Sequence, residues 1–351
     1  MAYTNVNDPS VYFQTTLYTG NGGTQSVTNG GNSDLQPDLV WIKDRDSGAA
    51  YHRLVDTVRG ATKLLYSNGT NAQDTDATSL TSFNSDGFTV SSGGGVNASG
   101  NSFVSWNWKA GTSFTNDASS TGIGTIDSAG SFNNTAGFSI VSYTGTGSNG
   151  TIKHGLSTAP EMYITKSLSS ARSWAVYNQN IGNTKAVFLN STDAQDTDAT
   201  YWNSTSPTSS VLSLGTRSEM NHSGENFIAY CFAPKQGYSK FGSYTGNGNA
   251  DGTFVYTGFK PALIIQKNSG ATGNWILYDN KRDVDNVANK ILIPNNSSAE
   301  ASACDVDLLS NGFKFRAVND ASSNKSANTY IYMAFAEHPF TSSTGTPVTA
   351  R

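Results

Sequence analysis

The chain has 351 residues, only 14% of them charged, and a formal net charge of −4. Soluble domains typically carry about 25% charged residues; here Gly, Ser, Thr and Asn supply the polarity, a mix that disfavours long helices and suits turns and strand edges. The composition offers no basic stripe for phosphate neutralisation and no apolar run of the ~18–20 residues needed to span a bilayer, so nucleic-acid binding and membrane insertion are both excluded as expectations.

In chain order, Met1 to Pro9 has no basic region and no apolar core. It does not read as a signal peptide, and the expectation is synthesis in a cytoplasm without cleaved export. Tyr18-Thr19-Gly20-Asn21-Gly22 follows, then a proline-led run, Pro37 to Lys43, whose Leu39-Val40-Trp41-Ile42 reads as a central strand covered on both faces. Lys63-Leu64-Leu65-Tyr66-Ser67-Asn68 is another strand ending in a turn. Asn84-Ser85-Asp86-Gly87 is a turn, after which Phe88-Thr89-Val90 alternates as a half-buried strand does. Phe103 to Trp108 is an aromatic strand. Residues 111–137, rich in Ser, Thr, Asn and Gly, read as a linker with one edge strand near Ile123 to Ile126.

The chain then repeats itself twice. The Tyr-Thr-Gly motif recurs at Tyr143 and Tyr244, the proline-led run at Pro160 and Pro261, and the aromatic strand at Phe227 and Tyr330. Ala72 to Thr78 reappears letter for letter at Ala194 to Thr200. These landmarks stay collinear at a period far above the ~20–50 residues of solenoid repeats and close to a whole small domain. The expected fold is therefore all-β: three tandem antiparallel β-sandwich domains of jelly-roll or lectin-like type, with immunoglobulin-like connectivity as the alternative. The boundaries are residues 1–112 for repeat one with its N-terminal extension, 113–136 for the linker, 137–234 for repeat two, 235–345 for repeat three and 346–351 for a C-terminal tail. Repeat one is expected to be the docking end.

No Gly-x-Ser-x-Gly elbow, His-Glu-x-x-His helix or phosphate loop is present, and His52, His154, His222 and His338 hold no equivalent positions. Glutamates are scattered singly, without a visible pair for glycoside hydrolysis. The chain reads as non-enzymatic. Asp74 and Asp76, repeated as Asp196 and Asp198, could offer clustered oxygens to calcium, or could simply cap turns. No other cofactor is implied. Trp174 and Trp275 are equivalent, each three residues before a tyrosine. They are either sugar-stacking platforms or core residues of a sandwich strand, and their recurrence favours the core. Trp202, beside Tyr201 in a Ser/Thr/Asn loop without a sister, is the better candidate for an exposed glycan contact. Cys231 and Cys304 lie in different repeats and are expected to be free thiols.

Several segments carry a family likeness. Met1-Ala2-Tyr3-Thr4, Asp8-Pro9-Ser10, Tyr12-Phe13-Gln14-Thr15, Asn32 to Asp38, Val58-Arg59-Gly60-Ala61-Thr62-Lys63, Phe138 to Gly145 and Ala334 to Phe340 resemble a family of virion proteins of marine tailed bacteriophages. The likeness covers essentially the whole chain, with mild departures at Ser157 and His338. It implies a fibre-like or surface-exposed structural protein with no catalytic signature. The expected function is a tail fibre or host-receptor (glycan) binding component. The alternative is a capsid-associated decoration or head-fibre protein, and the third reading a polysaccharide depolymerase. The implied partners are other virion proteins of the tail or capsid, a host cell-surface glycan or outer-membrane receptor, and further copies of the chain. The implied location is the virion surface after assembly in a host bacterial cytoplasm.

Overall fold

A computed structural model describes residues 4–337. The expected tail at 346–351 and the end of repeat three lie outside the described residues. The architecture is nearly all β, built of antiparallel sheets with only single-turn helices. No helix among the described residues is long and apolar enough to cross a membrane.

The three sequence repeats fold onto the same register. The strand that begins each repeat pairs with the aromatic strand that ends it: Phe13–Thr19 with Ser102–Trp108, Phe138–Thr144 with Asn226–Phe232, and Ser239–Thr245 with Thr329–Phe335. On its other edge the aromatic strand pairs with the proline-led strand, Leu39–Asp44, Met162–Ser167 or Leu263–Asn268. Lys43, Lys166 and Lys267 oppose Val104, Ile228 and Ile331 respectively. Every position of these three proline-led strands is buried, as a strand covered on both faces requires.

Alternation along these strands sends side chains to two different cores. Val40, Ile42 and Phe103 pack within repeat one against Val27, Phe88 and Val90 of a three-stranded sheet. Tyr163 and Ala229 do the same in repeat two against Ile152, Leu212 and Leu214, and Ile264 and Tyr332 in repeat three against Phe313 and Phe315. The opposite faces meet in one central cluster drawn from all three repeats. Trp41, Trp106 and Trp108 join Trp174, Tyr230 and Phe232, and these join Trp275, Met333 and Phe335. The N-terminal segment also packs inward: Val6 belongs to the central cluster and Tyr12 meets Tyr238 edge-on at 6.2 Å.

The Tyr-Thr-Gly motif has a local cause. Each tyrosine ring stacks on the aromatic residue opposite it, with centroids 5.1, 5.4 and 4.9 Å apart for Tyr18–Phe103, Tyr143–Phe227 and Tyr244–Tyr330. Each hydroxyl donates to a carbonyl near the end of its repeat, Val96 O, Met220 O or Ser323 O. The next residue on from that carbonyl is always asparagine. Asn97, Asn221 and Asn324 accept from the backbone N–H of Asn21, Thr146 and Asn247 inside the motif. The first glycine (20, 145, 246) lies against backbone where a Cβ would overlap a carbonyl, and Gly22, Gly147 and Gly248 hold φ near +72 to +74°.

One segment departs from expectation. The supposed linker is folded: Thr112–Asn116 and Ser128–Asn133 pair with each other and extend the large sheet of repeat two, and a short helix, Ala118–Thr121, lies between them. Phe114 and Phe132 meet edge-on at 6.0 Å and pack on that repeat's core. An edge strand needs only one apolar face, so its polar composition resembles a linker.

Candidate functional site

The repeats close into a ring. The loop after Lys63–Tyr66 of repeat one lies on repeat two, where Gln73 N donates to Leu168 O at 3.0 Å. The equivalent loop of repeat two lies on repeat three (Gln195 N to Ser269 O, 2.9 Å), and that of repeat three returns to repeat one (Glu300 N to Arg45 O, 2.8 Å). Each loop is seated by a buried aromatic or imidazole ring. Trp174 Nε1 donates to Tyr66 O at 2.9 Å and Gly69 O at 3.1 Å, and Trp275 Nε1 donates to Phe188 O at 2.8 Å. His52 takes the matching place in the third seam, accepting from Trp41 Nε1 at 3.0 Å. The backbone N–H groups of all three are held by asparagines just past the end of the following strand, Asn68, Asn190 and Asn295.

Trp174 and Trp275 are thus removed from any sugar-platform role by position: both are fully buried and spend their indole N–H on the neighbouring repeat. The core reading of the pair holds, and it holds at the seams between repeats.

The same seams bury three lysines. Lys166 Nζ donates to Thr70 O of repeat one and Lys267 Nζ to Thr192 O of repeat two; Lys43 Nζ donates within its own repeat to Asp44 O and Ser47 O. Burial pushes each down from 10.5 to about 8. The unfolded chain therefore holds more protons between about pH 8 and 10.5, and stability rises with pH across that window. Burial pushes the Tyr230 and Tyr238 hydroxyls well above 10, so above that pH the unfolded chain loses protons first and stability falls. On the acid side, burial holds His52 well below 6.5 and His154 at about 4, so stability present above 6.5 is lost as pH falls towards 4. Thermal melts from pH 5 to 11 should peak near pH 9–10. A melting temperature that falls steadily from pH 7.5 to 9.5 would contradict this placement of the lysines.

Trp202, expected at the surface, is buried completely, and so is Tyr201. The Trp202 ring stands edge-on to Tyr163 at 4.9 Å and Tyr177 at 5.7 Å, and its Nε1 donates to Lys185 O at 2.7 Å. The small sheet of repeat two has only two strands, Gly150–Lys153 and Val211–Leu214, and the polar loop folds back to complete the core with Trp202.

The aspartates are occupied locally. Asp76 and Asp198 each accept from the amide and hydroxyl of a threonine two residues on, Thr78 and Thr200. Asp74 accepts from Tyr66 Oη and Asp196 from Tyr201 Oη. Among the described residues no group of three or more His, Cys, Asp or Glu side chains is placed to hold a metal ion. Cys231 and Cys304 are free thiols, both pushed up to about 12 by burial.

Two open clefts have dimensions suited to a small ligand. One, of about 520 Å³, lies between repeats one and two; Tyr143 and Phe227 line it with Asn116, Asp117 and Asp127. Its arginine, Arg59, is committed to Asp56 Oδ2 and the Leu54 and Lys63 carbonyls. The other, of about 570 Å³, lies in repeat one and contains Tyr51, Arg53, Tyr66, Asn71 and Asn101 beside Gly94 and Gly95. Tyr51 is 43% exposed, and the Arg53 guanidinium lies 6.0 Å from the Tyr66 ring centre. Sequence reasoning did not single out Arg53. The available signal was that Tyr51-His52-Arg53 departs from the tryptophan-containing pattern of the sister repeats.

No curated protein matches the chain. Residues 8–339 match the model of a domain of unknown function, DUF7483, and the chain belongs to that family.

Proposed function

We propose that this chain is a non-enzymatic virion structural protein of a tailed bacteriophage, acting at the virion surface as a host-receptor (glycan) binding component. Support comes from the sequence likeness over the whole chain. The observation that carries the binding role is the open polar cleft of repeat one, with its half-exposed Tyr51 and its arginine. In this reading each repeat is a sandwich of jelly-roll or lectin-like type. Its last strand lies between its first strand and the proline-led strand, so both ends of the unit are neighbours in one sheet. Self-association or multiple copies per particle would convert weak single-site binding into avidity. A second reading, capsid decoration, draws on the ring itself: one chain with three near-equivalent lobes would suit a threefold position in a shell.

The test is to label intact particles with a specific antibody and image them. The receptor-binding reading expects label at the tail. Label over the head would replace it with decoration, and particles free of label would contradict a virion role altogether.

A further inference from the structure

Among the described residues, Arg53 is a cation without an anionic partner. Its Nε and Nη1 are buried without a hydrogen bond, and among the described residues it forms no ion pair. Buried guanidinium donors left unsatisfied are costly, so the charge favours an acceptor, and one arriving from the cleft would meet it at Nη2, the guanidinium nitrogen that is not enclosed.

The sister repeats show that this is particular to repeat one. Arg53 opposes Ile42 of the proline-led strand; the residues in that register position are Ala175 opposite Thr165 and Ile276 opposite Gln266. Both are apolar and buried. The short helix facing Arg53 has changed with it. Gly94 and Gly95 stand where repeat two has Ser218 and Glu219, and a Cβ on Gly95 would overlap the guanidinium. Glycine is the poorest helix former after proline, and here it leaves the space that the arginine fills.

Repeat two has a guanidinium at the same corner, but that one is neutralised. Arg217 lies 4.7 Å over the Tyr201 ring and within 3.5–3.7 Å of Asp198, Asp196 and Glu219. Repeat one keeps an arginine beside a tyrosine ring and keeps the aspartates as Asp74 and Asp76, but Gly95 replaces Glu219, and among the described residues neither aspartate forms an ion pair with Arg53. The two aspartates in its cleft are engaged elsewhere. Asp44 accepts from the Asp46 and Ser47 amides and from Asn101 Nδ2, and Asp74 accepts from Tyr66 Oη and the Thr75 amide.

We propose that this cleft binds a uronic acid residue of an acidic polysaccharide, its carboxylate on Arg53, its hydroxyls on Asp44, Asp74 and Asn71, and its ring against Tyr51. A guanidinium prefers a carboxylate or a phosphate. The lone pairs that Asp44 and Asp74 keep beyond these internal bonds decide between them, because they accept from sugar hydroxyls and repel a phosphate, which offers only acceptors and more negative charge. An aromatic ring that is apolar on its face and exposed at the cleft mouth suits a pyranose. The inference rests on the receptor-binding reading for the source of the sugar, and on geometry alone for the site.

The experiment is calorimetric titration of the full chain with a galacturonate trimer, the equally linked neutral galactose trimer, and inorganic phosphate. The galacturonate trimer should bind, with the neutral trimer and phosphate weaker by about tenfold or more, the worth of a charge-assisted contact. Arg53→Gln should reduce galacturonate binding by about the same factor. Tyr51→Ala, at an exposed ring, keeps the fold and should also weaken binding, so the conclusion does not depend on Arg53→Gln folding. No binding of the galacturonate trimer, equal binding of phosphate, or unchanged binding by both variants would overturn the site. Tail label on particles without galacturonate binding would sink this inference alone. Galacturonate binding by a protein that particles lack would sink the virion reading and leave the site standing.

Discussion

Trp174→Ala should destabilise the whole chain by about 3–5 kcal/mol, at the upper end for a buried aromatic. The indole is fully buried, lies nearly parallel to Tyr230 with centroids 6.5 Å apart, and has Lys166 Nζ 6.0 Å from its ring centre. Its removal opens a cavity in the central cluster and strips the Tyr66 and Gly69 carbonyls of their donor. Trp174→Phe keeps most of the volume and loses the N–H, so it should cost less, about 1–3 kcal/mol. Chemical denaturation of both variants measures the difference. Equal losses for Ala and Phe would mean that the hydrogen bond, not the volume, holds the seam.

The second large effect comes from the buried ion pairs. Asp56 holds Arg59 and accepts from Tyr230 Oη of repeat two; Asp279 holds Arg282 and accepts from Trp106 Nε1 of repeat one. The third seam has abandoned this arrangement. Asn178 and Ile181 stand where the other repeats have Asp and Arg, and Met333 stands in the place of Tyr230 and Trp106. Removing one partner of a buried pair leaves the other charge uncompensated, so Arg59→Ile alone should cost about 3–5 kcal/mol. The triple variant Asp56→Asn, Arg59→Ile, Tyr230→Met copies the apolar seam and should recover most of that loss, because a packed apolar set often replaces a buried pair at little net cost. Denaturation midpoints of the single and triple variants check it. Additive losses would show that the three positions do not act as one unit.

The parts of this fold legible in the sequence are those specified locally. Apolar runs behind prolines, aromatic strands and glycine turns recur three times, and each becomes a strand or turn in the place expected. The Tyr-Thr-Gly motif was visible, while its clamps, Asn97, Asn221 and Asn324, were not, because they lie more than seventy positions away in the chain. The ring was hidden for another reason. Its seams run largely through backbone carbonyls such as Tyr66 O, Phe188 O and Thr70 O, which carry no side-chain signature. Trp202 misled because a polar loop was read as an exposed one; whether a loop folds back depends on how many strands the facing sheet has, which is a non-local property. Arg53 was present as a departure from the repeat pattern, and only the glycine at 95, whose missing side chain makes room for the guanidinium, gives that departure a chemical meaning.

The measurement that tests the central claim, that three repeats close into one cooperative ring, is native-state amide hydrogen exchange on the full chain and on Trp174→Ala. Slowly exchanging amides report the opening free energy of each region separately. The ring account predicts one shared opening free energy for the strands Ser102–Trp108, Asn226–Phe232 and Thr329–Phe335, falling by the same amount in all three when Trp174 is removed. Full protection retained in Thr329–Phe335 while the other two strands lose theirs would contradict it, and would make the repeats three independent domains.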